Sequence, residues 1–465
     1  MARVHAFTDD ALGALDAVGV CEAIQRRAIS PSEAVEAAIA RIERVDPELG
    51  GMAYRTFDRA RVEAAGPRTG FFAGVPTLIK DNVDVAAVPT RHGTDAYAAR
   101  PARRNGELTK MLMKMGLVSL GKSQLSEYGF SGTAEHPRLG AVRCPWDTDR
   151  VAGASSAGAG ALVAAGAVPI AHGNDGGGSI RIPASVNGLV GLKPTRGRVA
   201  QDRFFQLLPL RIVADGVLTR TVRDTAVFLR EAEKVHRDLS LPPVGDVAGP
   251  GRKRLRVAVF TEALGRSASP EVADLALKTA ALLEELGHVV EHAVAPLPPT
   301  LPEDFVLFWG SLALTLVSTG PVRGRTWDKA RLDNLTLGLA AHCQRNLRHL
   351  PGAVRRLRAI EAAMEDFHQT YDVVLTPTVA HETPEVGYLA PTRDYETVMG
   401  RLMDWVAFTP LQNVTGGPAV SLPLHTTAAG LPQGMMLGAG RGQEATLLEL
   451  AFELEQARPF ATLAP

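Results

Sequence analysis

Apolar positions along this chain follow two rhythms. Val35, Ile39, Ile42 and Val45 recur at three- and four-residue intervals, which places them on one face of a helix. In front of them, Ser30-Pro31-Ser32-Glu33 combines a capping-box spacing with proline at the first helical position. The pattern predicts an amphipathic helix lying on a core. From Gly74 onward, short apolar runs (VPTLI, LVSL, VPIA) alternate with helix-like segments, the signature of an α/β domain with a largely buried sheet. Further on, LRVAVF at 255–260 reads as a strand and Pro270 to Leu286 as a helix ended by Gly287. The region from about 301 to 367 reads as mainly helical. Ala157 to Ala171 is the most apolar stretch; it is shorter than the roughly 20 residues a membrane span needs, so it reads as a buried helix. The Pro- and Gly-rich section from about 238 to 254 is short and strand-like runs resume beyond it, which favours one domain with a surface excursion.

Composition narrows the function classes. The chain has 465 residues, 46% of them hydrophobic, enough to bury a sizeable core. Lys+Arg and Asp+Glu both number 50, so net charge is zero and nothing electrostatic calls for nucleic acid or an anionic membrane. A neutral small-molecule substrate fits better. Cys21, Cys144 and Cys343 are too few and too scattered for a disulfide framework or a four-thiolate zinc site. With no secretory pattern in MARVHAFTDDALGALD, a cytoplasmic location is expected.

Two clusters of small residues flank the Ala157–Ala171 stretch: Gly153-Ala154-Ser155-Ser156-Ala157-Gly158 before it, and Gly173-Asn174-Asp175-Gly176-Gly177-Gly178-Ser179-Ile180-Arg181 after it. Glycine permits unusual dihedrals, and successive inward N–H groups make an anion-binding concavity. A serine at the end of such a nest can be a nucleophile beside its own oxyanion hole, or the loop can be an ordinary turn. A third piece, Gly74-Val75-Pro76-Thr77-Leu78-Ile79-Lys80-Asp81-Asn82, sets a lysine at the end of a strand-like run. Burial there would lower its pKa from about 10.4 and make it a base; exposure, or pairing with Asp81, would not.

Together the three pieces resemble the amidase signature family of Ser-Ser-Lys hydrolases. The likeness runs nearly continuously from Gly74 to Thr195, including AHGNDGGGSIRIPASVNGLVGLKPT from Ala171. It returns in YDVVLTPT at 371–378 and NVTGGPAVSLP at 413–423. It implies a single α/β domain over 1–465 with a large mixed central sheet covered on both faces by helices. The signature core would span about 74–195, with a more variable, mainly helical region at about 230–370. It further implies that Ser179 forms an acyl-enzyme, that Ser155 follows a cis peptide bond and relays protons, and that Lys80 is the base. Amide N–H groups around Gly176, Gly177 and Gly178 would bind the oxyanion. The implied reaction hydrolyses a carboxamide to an acid plus ammonia or an amine, with neither metal nor organic cofactor. A homodimer is left open.

The chain departs from the family pattern at Ala154 and Ala157, where glycine is more frequent, at Asn174 and Gly176, where threonine is common, and at Met436, where glutamine is expected. The last bears on pocket polarity, with a local packing difference favoured. A second branch of the resemblance is the amidase subunit of a glutamine-dependent transamidosome. That branch usually carries Gln after the arginine of the nucleophile loop, and Ile182 follows Arg181 here, which favours a stand-alone amidase.

Other motifs weigh less. Gly116-Leu117-Val118-Ser119-Leu120-Gly121-Lys122-Ser123 fits the P-loop expression of a nucleotide-binding protein, but Leu117, Val118 and Leu120 read as a buried strand after a helix at 108–115. Ser119 and Lys122 make a Ser-x-x-Lys pair without the companion motifs of penicillin-recognising enzymes. His288 and His292 match an inverted zinc-protease spacing, but the segment reads as a strand with both histidines on its exposed face. His172 reads as a structural histidine, and Asp175 and Arg181 as a pair that holds the nucleophile loop. Trp309, Trp405 and Phe408 lie where family members line the acyl pocket, although each reads first as core.

Overall fold

The computed structural model describes residues 3–263, 265–323 and 326–464. The capped helix spans Pro31–Leu49; the Ser30 side chain accepts from the Glu33 N–H while Glu33 reaches back to the Ser30 N–H, and Gly50 ends it at φ 65°. Its buried residues include Val35, Ile39, Ile42 and Val45, the face anticipated from their spacing.

Two sheets build the site. Within the described residues the smaller has three strands: β1 (Met52–Arg55), β2 (Pro76–Lys80) and β3 (Val118–Ser123), with β3 central, parallel to β2 and antiparallel to β1. The larger has eight: β4 (Ile170–Asp175), β5 (Val190–Lys193), β6 (Ala214–Thr219), β7 (Arg256–Val259), β8 (Val289–His292), β9 (Val373–Pro377), β10 (Ala419–Thr426) and β11 (Pro432–Ala439). Its order is β8-β7-β9-β11-β10-β5-β6-β4. Only β8, β7 and β9 run parallel, so the sheet is mixed. The VPTLI and LVSL runs therefore belong to the smaller sheet, and β2 approaches the edge of the larger one, where the Thr77 hydroxyl donates to the Ile170 carbonyl over 3.0 Å. One apolar cluster includes residues of both sheets, the first long helix and the C-terminal helix Glu444–Ala457.

The Ala157–Ala171 stretch is not one helix. The helix covers Ala157–Ala164 and is buried throughout; Gly166 at φ 75° turns the chain, and Ile170 already starts β4. Gly158 is required within it, because a Cβ there would sit 2.1 Å from the Gly51 carbonyl oxygen. The helix thus connects the two small-residue clusters over a short path. Helices at Leu301–Arg323, Asn334–Asn346 and Leu350–Phe367 form the later helical region, and the first packs against each of the other two. Leu301–Val322 is long and apolar enough to cross a bilayer by length and composition alone.

Candidate active site

Lys80 closes β2 with its side chain fully buried. Its Nζ lies 2.7 Å from Ser155 Oγ, 2.7 Å from Asn174 Oδ1 and 3.3 Å from the Asn174 carbonyl oxygen. Burial disfavours the ammonium and pulls the pKa from 10.5 down to about 7, against the Asp175 and Asp215 carboxylates, which favour the charged form. Ser155 follows a cis peptide bond from Ala154. Next to it, the Ser156 N–H donates to the Ser179 carbonyl over 3.2 Å, which ties the first cluster to the second. Gly129 passes over Ser155 so closely that a Cβ would stand 3.2 Å from its hydroxyl.

The loop from Asn174 to Arg181 leaves the end of β4 and enters the helix Arg181–Asn187. Asp175 organises it. Its carboxylate accepts from the N–H groups of Gly178 at 2.7 Å and Ile180 at 3.1 Å, and from Arg181 Nε at 2.9 Å and Nη2 at 2.8 Å. Burial alone would raise the Asp175 pKa, but the Arg181 charge and these bonds hold it well below the usual carboxylate range. Arg181, equally buried, also donates to the Thr409 carbonyl, Asn413 Oδ1 and Met436 Sδ. Met436 thus meets the guanidinium and is 1% exposed, a packing difference and not a change in the pocket wall.

One of the three expected oxyanion donors is corrected. The Gly178 N–H is already given to Asp175, and Gly178, at φ 131°, faces Thr409 and Ile182. Gly176 and Gly177 line the cavity together with Ser155 and Ser179. The Thr409 hydroxyl donates to the Gly177 carbonyl over 2.5 Å and steadies that stretch.

The cavity holds about 680 Å³. Its apolar walls are Phe130, Phe305, Trp309, Leu312, Leu316 and Val406, several of them from the Leu301–Arg323 helix. Asn82, Asp84 and Asp202 add polar wall. Trp405 is fully buried and Phe408 belongs to another apolar cluster, so of the three aromatic candidates only Trp309 reaches the cavity.

His172 is structural in its contacts: Nδ1 accepts the Lys80 backbone N–H at 3.1 Å, which leaves Nε2 to donate to Asp215 at 3.0 Å. The P-loop-like run is the buried strand β3, and its Lys122 pairs with Asp81 at 2.8 Å. His288 does not lie on the exposed face expected for it. It is buried, takes the Leu255 N–H at Nδ1 and meets Glu453 through Nε2, while His292 is exposed on β8. Asn82 and Asn174 were not singled out as functional from the sequence. The available signal was that Asn174 stands inside the nest where threonine is common.

A family model described as Amidase matches residues 33–448. The "Putative amidase AmiC" of Mycobacterium leprae is 60% identical, covering 100% of this chain and 99% of its own length. The 6-aminohexanoate-cyclic-dimer hydrolase of Paenarthrobacter ureafaciens is 33% identical over 97% of this chain and 96% of its own. A solved structure of a 6-aminohexanoate cyclic dimer hydrolase superposes with a TM-score of 0.86 at 32% identity, covering 96% of this chain and 97% of that one.

Proposed function

For a chain that belongs to the amidase family and hydrolyses amide C–N bonds, we propose a path through an acyl-enzyme on Ser179. Neutral Lys80 takes the proton of Ser155 as Ser155 takes that of Ser179, and Ser179 Oγ attacks the carbonyl carbon. The N–H groups of Gly176 and Gly177 meet the oxygen that becomes negative. The protonated lysine then returns the proton through Ser155 to the nitrogen as the C–N bond breaks, because a free amine leaves and an amide anion does not. Water then attacks the acyl carbon and gives up a proton along the same relay to Lys80, and the bond to Ser179 Oγ breaks as that proton returns through Ser155 to Ser179, releasing the acid.

The observation that carries this reading is the 2.7 Å contact between Lys80 Nζ and Ser155 Oγ, inside a setting that holds the amine near pKa 7. The proposed substrate is a linear carboxamide with an apolar acyl part, supported by the aromatic and aliphatic cavity walls. A cytoplasmic site of action belongs to the same proposal, supported by three buried, unpaired cysteines.

The test combines covalent trapping with turnover. A fluorophosphonate should leave one adduct, mapped by peptide mass spectrometry to Ser179 and absent in Ser179→Ala. Ammonia release from aliphatic amides of increasing chain length should vanish in the same variant. Undiminished turnover by Ser179→Ala would reject the acyl-enzyme.

A further inference from the structure

We propose that Asn174 is a positioning residue for the base: its two oxygens hold the hydrogens of the Lys80 amine so that the lone pair faces Ser155. The inference rests on the acyl-enzyme reading, in which Lys80 acts as a neutral amine, and adds the group that orients it.

A neutral amine has two hydrogens and one lone pair, and Nζ has three neighbours. Two are oxygens of Asn174, the side-chain Oδ1 at 2.7 Å and the backbone carbonyl at 3.3 Å, and these can only accept. The third is Ser155 Oγ at 2.7 Å. With both hydrogens on Asn174, the remaining direction points at Ser155, whose hydroxyl then donates to nitrogen. That is the proton path the reaction needs. A rotated amine would aim a hydrogen at Ser155 and block it.

The Asn174 amide oxygen has a second donor beside Lys80. Asn82 Nδ2 donates to the same Oδ1 over 3.2 Å, so two donors converge on that atom. Turning the Asn174 amide alone would place its NH2 group against both of them. Asn174 is 4% exposed, so solvent is a poor substitute acceptor.

Other charged groups surround Lys80 without bonding to Nζ. Asp175, at the end of β4, is taken up by Arg181, and Asp215 on β6 by His172 and Gln201. His172 on β4 faces the Lys80 backbone, and Asp81, next along from β2, pairs with Lys122 of β3. Among the described residues, Asn174 and Ser155 are the hydrogen-bond partners of the amine nitrogen.

The experiment compares kcat/KM against pH for the wild type, Asn174→Asp and Asn174→Ala on one amide substrate. Fluorophosphonate titration counts folded sites in each preparation. In Asn174→Asp a carboxylate replaces a neutral acceptor beside the amine and favours its protonated form. The acid limb should therefore move up by about one pH unit or more, with activity recovering at alkaline pH. Asn174→Ala loses the side-chain acceptor and should lower kcat by about 10- to 100-fold at unchanged KM, with no upward movement of the limb. A limb that stays in place in Asn174→Asp, or an Asn174→Ala enzyme within threefold of the wild type, overturns the inference. Full activity in Lys80→Ala would instead reject the acyl-enzyme reading beneath it.

Discussion

Replacing Asp175 with asparagine isolates the electrostatics that hold the nucleophile loop. The aspartate accepts from three backbone N–H groups of the loop, those of Gly178, Ile180 and Arg181, and from the Arg181 side chain through two nitrogens, and Asn413 Nδ2 adds a further bond at 2.9 Å. Asparagine keeps the shape but turns one acceptor oxygen into an NH2 group that faces donors. It also removes the counter-charge of a guanidinium with no exposure. Removing one partner of a buried ion pair is worth about 3–5 kcal/mol. Arg181 retains the Thr409 carbonyl and Asn413 Oδ1, so the lower end, about 3 kcal/mol, is expected. The assay is urea unfolding of wild type, Asp175→Asn, Arg181→Met and the double variant at one pH, analysed as a cycle. The double variant should lose less than the sum of the single losses, because it no longer strands a buried charge. A loss below about 0.5 kcal/mol in Asp175→Asn, or an additive cycle, would refute the view that this pair holds the loop. The kinetics carry a second check. Asp175 favours the charged form of Lys80, so in the fraction that stays folded the acid limb should move to lower pH.

Lys80→Met should remove turnover and also a slope in stability. The lysine has a pKa near 7 when folded against 10.5 as its ordinary value, so between those limits the unfolded chain binds more protons. Wild-type stability relative to the variant should therefore rise with pH from about 7 to 10, by up to about 1.4 kcal/mol per unit; a flat difference in urea midpoints would contradict a buried neutral lysine. Gly178→Ala would put a Cβ 2.3 Å from Thr409 Oγ1 at φ 131°, whereas a Cβ on Gly177 meets nothing closer than 3.7 Å. Differential scanning calorimetry should find Gly178→Ala destabilised by about 1–3 kcal/mol and Gly177→Ala close to wild type; equal midpoints would show that the loop has more slack than its contacts imply.

Legibility in the sequence followed the range of the interaction. The Pro31–Leu49 helix was readable because cap and apolar stripe both lie inside one segment, and β7 because a short apolar run bounded by polar residues has few other solutions. The run from Ala157 was overextended because alanine and glycine carry no periodicity that separates a buried helix from a buried strand. The stop at Gly166 was visible only as one glycine among several. His288 looked exposed from strand alternation, yet it stands just before β8 and turns inward to Leu255 and Glu453, a contact made across the fold. Lys80, Ser155 and Ser179 were found through family likeness; neither spacing nor composition says that a lysine from one sheet meets a serine loop at the edge of another. Gly178 was misjudged for a local reason. The Asp175 carboxylate, three residues earlier, reaches its N–H, and a glycine-rich string does not reveal which amides are already taken.

The setting of Lys80 shows why so much polar structure is buried around it. Desolvation alone would drive a fully buried lysine toward neutrality, and two carboxylates close enough to act on it pull the other way. Were either carboxylate free to bond Nζ, the lysine would be a paired ammonium and no base at pH 7. Neither is free. Asp175 is committed to Arg181 and the loop amides, and Asp215 to the His172 ring and Gln201. Arg181 and His172 thus serve the proposed chemistry without touching a substrate, by engaging the charges that would otherwise capture the base. The acceptors left for Nζ on Asn174 are neutral, strong enough to orient the amine and too weak to keep it charged.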